Sequence, residues 1–217
     1  MKIFHHLTRS IGLYCVEVAL GAFAFCIAGT FALALFNDIG VSGWNIVMSQ
    51  IVRWFLFWVG IYLVHNVLPI AVAHGRTRRE FLTAASAFAV VLSLAVTALG
   101  LLGFYSEDGI YYLMGWSVDG HAEPLAFLMM FLVWCAAGMF CAAAFDRFGV
   151  AGVVAVPISL VLAAVTSARM PQSGDLPFIH EIPELLGNGW HLLSLVAFLV
   201  ALAGTWAITR DAPVRTR

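Results

Sequence analysis

The sequence predicts an all-α polytopic membrane protein, with six transmembrane helices in a single domain over residues 1–217 and both termini cytoplasmic. Three observations carry that expectation. Hydrophobic residues make up 62% of the chain and charged ones only 11%, against roughly 25% charge in a soluble globular domain. The mean hydropathy is +0.95. The apolar runs are each near the length of about 20 residues that a bilayer core about 30 Å thick demands of a helix. The composition excludes a water-soluble enzyme. The charge balance, 11 Lys and Arg against 12 Asp and Glu, excludes binding of nucleic acid through a basic surface.

The first run extends from about Ile11 to Phe36. It is too long for a signal-peptide core and has no convincing small-residue cleavage site, so it reads as a retained span. The stub before it, MKIFHHLTRS, suits the cytoplasmic interface. The second run, about Ile51 to Ala73, follows the wetter stretch VSGWNIVMSQ. The third covers about Phe81 to Phe104, the fourth Pro124 to Phe145, the fifth Val150 to Ala168 and the sixth about Trp190 to Ile208. Span four carries Ala136-Ala137-Gly138 and Ala142-Ala143-Ala144, and span five opens Gly149-x-x-Gly152 and continues with Ala155. Such small residues let helices approach closely, within one subunit or at a dimer seam. Two longer stretches read as external loops. SEDGIYYLMGWSVDGHAE carries interfacial aromatics, and MPQSGDLPFIHEIPELLGNG has three prolines and the alternation of short helical turns.

Orientation follows from the basic residues. With an even number of spans, Lys2, Arg9, Arg76, Arg78, Arg79, Arg147, Arg210, Arg215 and Arg217 fall on one side. Arg169 falls on the other, and Arg53 sits just inside a span, where it is expected to snorkel outward near Trp54 and Trp58. The positive-inside bias makes the first side cytoplasmic. The acids Asp38, Glu107, Asp108, Asp119, Glu123, Asp175, Glu181 and Glu184 are expected outside.

Residue counts narrow the chemistry. Lys2 is the only lysine, so a phosphate-cradling glycine-rich loop ending in lysine is absent and Schiff-base chemistry is disfavoured. ATP, where it is used, is bound by another chain. Cys15, Cys26, Cys135 and Cys141 all lie in apolar runs without a C-x-x-C pair, and read as small buried hydrophobes rather than metal ligands or disulfides. The external histidines His121, His180 and His191 lack metal-ligand spacing on one helix.

The sharpest motif is LPIAVAHGRTRREFLTAASA between spans two and three. Thr77 followed by Glu80 fits a helix-opening capping box, so His74-Gly-Arg-Thr-Arg-Arg-Glu80 is expected to form a tight basic elbow. Taken alone it is a positive-inside stop. Gly75, Thr77, Arg78, Arg79 and Phe81, with Pro69 ahead of them, also give a proline-ended span followed by G-x-T-R-R-x-F and a small-residue-rich third span. That pattern resembles the small six-span permease subunits of bacterial ATP-binding-cassette (ABC) exporters. The resemblance covers about the first half of the chain; the second half agrees mainly in span count and in its long last external loop. It implies a transport subunit in the cell membrane, without catalytic residues or cofactor of its own. Its partners would be an ATPase subunit that binds the ATP and a second permease, identical or paralogous. Arg76, Thr77, Arg78, Arg79 and Glu80 would form the coupling element that rests on the ATPase. Guanidinium forks can grip carboxylates there bidentately.

Inside the membrane, ionisable residues are functional candidates. Glu17 lies about 9 Å into span one at 1.5 Å per residue, and His65, with Asn66, lies at similar depth in span two. A Glu17–His65 hydrogen bond would be a structural clamp worth about 1 kcal/mol or less. Alternatively, Glu17 would be a proton site, which makes the chain a proton-coupled carrier. A further alternative arises because Gly40-Val41-Ser42-Gly43 is similar to the G-x-S-G of rhomboid intramembrane serine proteases, with His191 as the imagined base. Against it, Ser42 precedes span two, whereas those enzymes place the serine at span four. Turn residues before a helix account for the same tetrapeptide.

Overall fold

The computed structural model describes residues 42–116, 123–167 and 189–210, together with helical positions scattered between 17 and 32. Most of the first span, both termini, His121, His180 and the prolines of the last external loop lie outside the described residues. Within them every regular element is helical and no strand occurs. We label a short apolar helix α1 (Leu20–Gly29), followed by α2 (Gly43–Ala73) and α3 (Arg78–Met114). After these come α4 (Pro124–Phe148), α5 (Ala155–Ser167) and α6 (Gly189–Thr209). Four helical stretches are long and apolar enough to cross a membrane: α2, α3, the run Pro124–Ala164, and α6.

The run Pro124–Ala164 is bent back on itself. Gly149, at φ +60°, ends α4, and a 3₁₀ turn over Gly149–Val154 leads into α5. A Cβ on Gly152 would collide with the Ala144 carbonyl. Further from the turn, Ser159 Oγ donates to the Ala137 carbonyl at 3.3 Å and Trp134 Nε1 donates to Ser167 Oγ at 3.1 Å. Partner numbers fall as residue numbers rise, so α4 and α5 are antiparallel arms. The small residues at the head of α5 serve this packing within the chain.

The hub is α4. From Ala126 to Ala144 every residue is buried except Leu128, Met129 and Phe140, because helices lie around it on several sides. α2 runs parallel to it at backbone contact. A Cβ on Gly138 would strike the Phe57 carbonyl, and one on Gly60 would strike the Cys135 carbonyl. α6 also runs parallel to α4, with Gly204 against the Phe140 ring and Ala197, Phe198 and Ala201 packed on Leu132, Val133 and Ala136. α3 runs antiparallel to α2. Trp44 Nε1 donates to the Gly100 carbonyl at 2.9 Å, and Gly103 leaves room for the indole. Cys135 and Cys141 are both buried and form no disulfide.

These directions sort the helix ends. Ala73, Arg78, Phe148 and Thr209 lie at one end, while Ser42, Met114, Pro124 and Gly189 lie at the other. Arg76, Arg78, Arg79, Arg147 and Arg210 share the first end, which we call the basic end, and Glu107, Asp108 and Glu123 share the second. Arg53 does not simply snorkel. It is half-buried, donates to Gln50 Oε1, and sits 5.0 Å from the centroid of the Trp134 ring on α4, a cation–π geometry.

Two boundaries differ from expectation. α2 begins at Gly43, so the wetter stretch before Ile51 is helical, with six-residue and five-residue π-helical segments at Val47–Val52 and Leu63–Val67. α3 continues ten residues past Phe104 to Met114, through what reads in sequence as loop. At 37 residues it is about 55 Å long, well beyond a hydrocarbon core of about 30 Å. Its extra turns are held because Phe104, Glu107 and Tyr111 continue the buried stripe of Val96 and Gly100 at helical spacing.

Candidate functional site

The elbow between α2 and α3 is two helix caps set back to back. Gly75, at φ +76°, takes the left-handed conformation that closes α2. Arg76 N donates to the Ala71 carbonyl at 3.1 Å and Gly75 N to the Val72 carbonyl at 2.9 Å, the paired bonds of a Schellman cap. Thr77 then opens α3 with a complete capping box. Glu80 N donates to Thr77 Oγ1 at 3.2 Å, and Thr77 N donates to Glu80 Oε2 at 3.2 Å. The local sequence dictates this: a glycine where φ must be positive, then a threonine and a glutamate three apart. The elbow is therefore rigid without contacts from elsewhere, and Arg76, Arg79 and Glu80 are exposed on it.

Arg78 has a different position. It is half-buried, and its Nη1 donates to the carbonyls of Thr209 at 2.9 Å and Arg210 at 3.0 Å. From the other tight turn, Arg147 Nη1 donates to the Ile208 carbonyl at 3.0 Å and, more weakly, to Ala207 at 3.5 Å. The last carbonyls of a helix have no intrahelical donors and carry the negative end of its dipole. Two guanidinium groups satisfy them here. The end of α6 thus stitches the elbow to the end of α4, and Arg78 is turned toward α6.

The intramembrane histidine also has a partner other than the expected one. His65 Nδ1 lies 2.6 Å from Asp146 Oδ1, each side chain about one-third exposed. Glu17 lies on an exposed position of its helix, and Asn66 is exposed as well. The bond found for His65 is thus a tie between α2 and α4; a Glu17–His65 bond is not among those found in the described residues. The reason is the parallel packing of those helices, which pairs Trp54 with Trp134, with ring centroids 4.8 Å apart, and a few turns later His65 with Asp146. His65 stands eight residues before Ala73, about 12 Å from the helix end, inside the second π segment. Such π turns are frequent at functional sites. Asp146 and Arg147 are adjacent, so the last turn of α4 holds α2 with one side chain and α6 with the next. Elbow, α6, α4 and α2 form a closed circuit of polar ties at the basic end.

At the opposite end a carboxylate is fully buried. Glu107 on α3 accepts from Ser42 Oγ at 2.5 Å, Trp44 N at 3.1 Å and Tyr111 Oη at 2.8 Å. Its neighbours are the open N–H groups at the start of α2, where the helix dipole favours an anion. Ser42 also accepts from Asn45 N at 3.0 Å, as an N-cap does. The imagined serine nucleophile is thus committed to a carboxylate and a backbone amide. His191, at the head of α6, stacks edge-on to Trp190 with centroids 5.1 Å apart. The bonds found for Ser42 and His191 do not join them.

Sequence reasoning missed Glu107 and Asp146. The usable signals were helical register: Gly100, Phe104, Glu107 and Tyr111 recur every three or four residues, as do Cys135, Met139, Ala142 and Asp146. Among the described residues no group of three or more His, Cys, Asp or Glu could hold a metal ion. Comparison of the chain with protein-family models, curated proteins and solved structures finds no match.

Proposed function

We propose that the chain is the transmembrane permease subunit of an ABC-type exporter, a bacterial cell-membrane protein of six spans with both termini cytoplasmic. It works as a dimer with a second permease, and a separate subunit binds and hydrolyses the ATP. The basic end is then the cytoplasmic end, in line with its five arginines. One observation carries the reading: the elbow is rigid, exposes Arg76 and Arg79, and is bonded through Arg78 to the end of α6. A force applied to the exposed arginines would reach α6 directly, and α4 and α2 through Arg147 and the Asp146–His65 pair. The decisive experiment isolates the tagged chain from its native membrane in mild detergent and assays MgATP hydrolysis. Vanadate-sensitive hydrolysis that comes away with the chain supports the reading. A chain purified intact without any associated ATPase overturns it.

A second reading rests on His65–Asp146. An imidazole–carboxylate pair about one-third exposed between two apolar helices suits proton relay, and would make the chain a proton-coupled carrier with Glu17 elsewhere on the path. It predicts that proteoliposomes of the chain alone conduct protons under an imposed pH gradient, and that Asp146→Asn stops the flux. Tight vesicles with the parent protein remove this reading.

A further inference from the structure

α3 and α6 do not close against each other at the basic end. Between them lies a groove of about 430 Å³, with Leu82 and Ser86 on one wall, Leu199, Ala203 and Trp206 on the other, and Met139 of α4 as its floor. Leu199 and Trp206 are about half exposed, at 54% and 45%, so the groove opens sideways. Its length follows from helix geometry: Leu199 to Trp206 is seven residues, about 10 Å. The walls are apolar, but the mouth is not. On α3 the face Ser86, Leu82 continues to Arg79, and on α6 the face Leu199, Ala203, Trp206 continues to Arg210, at helical spacing in each case. The Arg210 guanidinium sits 5.4 Å from the centroid of the Trp206 ring, which places the charge over a groove wall. Arg78, next to Arg79 in the chain, is anchored on the Thr209 and Arg210 carbonyls.

We propose that this groove binds one anionic phospholipid, with an acyl chain along α6 against Leu199, Ala203 and Trp206 and the phosphate between Arg79 and Arg210. The chemistry selects that occupant. An apolar slot opening laterally takes a hydrocarbon chain, and basic residues one turn beyond its end take a phosphate at headgroup depth. The inference is independent of any ATPase, since the site needs only this chain and the leaflet at its basic end.

The test uses the full-length purified chain, delipidated in dodecyl maltoside and titrated with phosphatidylglycerol or phosphatidylcholine, with bound lipid counted by native mass spectrometry. One phosphatidylglycerol should bind per chain roughly thirtyfold more tightly than phosphatidylcholine, as expected for two arginines near one phosphate. Ala203→Trp fills the slot and should abolish that tight site for both lipids. Arg79→Gln with Arg210→Gln leaves the slot open and should reduce phosphatidylglycerol to the phosphatidylcholine level. The two variants change exposed positions, and an unchanged gel-filtration profile shows that each is folded. Equal binding of the two lipids by the parent, or tight phosphatidylglycerol binding that survives Ala203→Trp, overturns the proposal. Conversion of a dimer to a monomer by Ala203→Trp, without change in lipid binding, would also overturn it and give the groove to a second copy.

Discussion

Ser42 donates its hydroxyl proton to Glu107 across 2.5 Å, joining the start of α2 to a residue 65 positions later on α3. The contact explains why α3 runs so far past the expected span. Glu107 is fully buried and accepts three hydrogen bonds, one of them from the backbone of Trp44. A carboxylate placed there replaces the solvent that the first turn of α2 would otherwise need.

Removing that acceptor should cost stability. Glu107→Leu removes the acceptor of three buried hydrogen bonds and should destabilise by about 1–3 kcal/mol. Glu107→Gln keeps one carbonyl oxygen and should lose less. Thermal unfolding in detergent, followed by near-UV circular dichroism, checks the order parent, Gln, Leu. Parental stability of the Leu variant would mean that the cluster contributes nothing.

The contact of α2 with α4 gives a second expectation. Gly60→Ala drives a Cβ into the Cys135 carbonyl, and separating two packed backbones should cost about 1–3 kcal/mol. Gly109→Ala is the matched control, because nothing lies within 4 Å of its Cβ position. There, alanine should be neutral or stabilising by up to about 1 kcal/mol. The same unfolding assay should show a lowered transition for Gly60→Ala and an unchanged or raised one for Gly109→Ala.

The elbow was readable in the sequence because its caps are local. Gly75, Thr77 and Glu80 lie within six residues, and their bonds require only backbone geometry. Glu107 and Asp146 were not readable by the same means. Their partners, Ser42 and His65, are 65 and 81 residues away, and only the direction of helix packing brings them together. Arg78 illustrates the limit within the motif itself. Its sequence context is shared with Arg79, yet one is bonded to the end of α6 and the other is exposed, a distinction set by the end of a helix 131 residues later.

The caps should be separable from the charges. Gly75→Ala forces a β-carbon into the left-handed region at a cost of about 1–2 kcal/mol, and Thr77→Ala removes a cap worth about 1 kcal/mol. Both should lower the unfolding temperature. Trypsin digestion at the neighbouring arginines should accelerate in both variants as the elbow loosens; unchanged cleavage rates would count against a rigid elbow.

The two ends should lie on opposite sides of the membrane. In a background without the native cysteines, Thr77→Cys and Glu123→Cys place single thiols at exposed positions on opposite ends. An impermeant thiol reagent added to intact cells should label the cysteine at position 123 and spare the one at 77. Labelling at 77 would put the elbow outside and remove any contact with a cytoplasmic ATPase.

Docking itself is best tested on the arginines that are free of the α6 clamp. Arg76→Lys with Arg79→Lys keeps both charges, and hence the positive-inside signal, while removing the planar fork that an ammonium cannot reproduce. Arg78 is left intact so that α6 stays bonded. The measurement is vanadate-sensitive ATP hydrolysis retained by the chain on purification, normalised to the amount of folded permease. The account predicts normal membrane levels and parental unfolding temperature, with retained hydrolysis reduced severalfold. Hydrolysis equal to the parent's in a stable double variant would contradict it and leave the elbow as a topology signal alone.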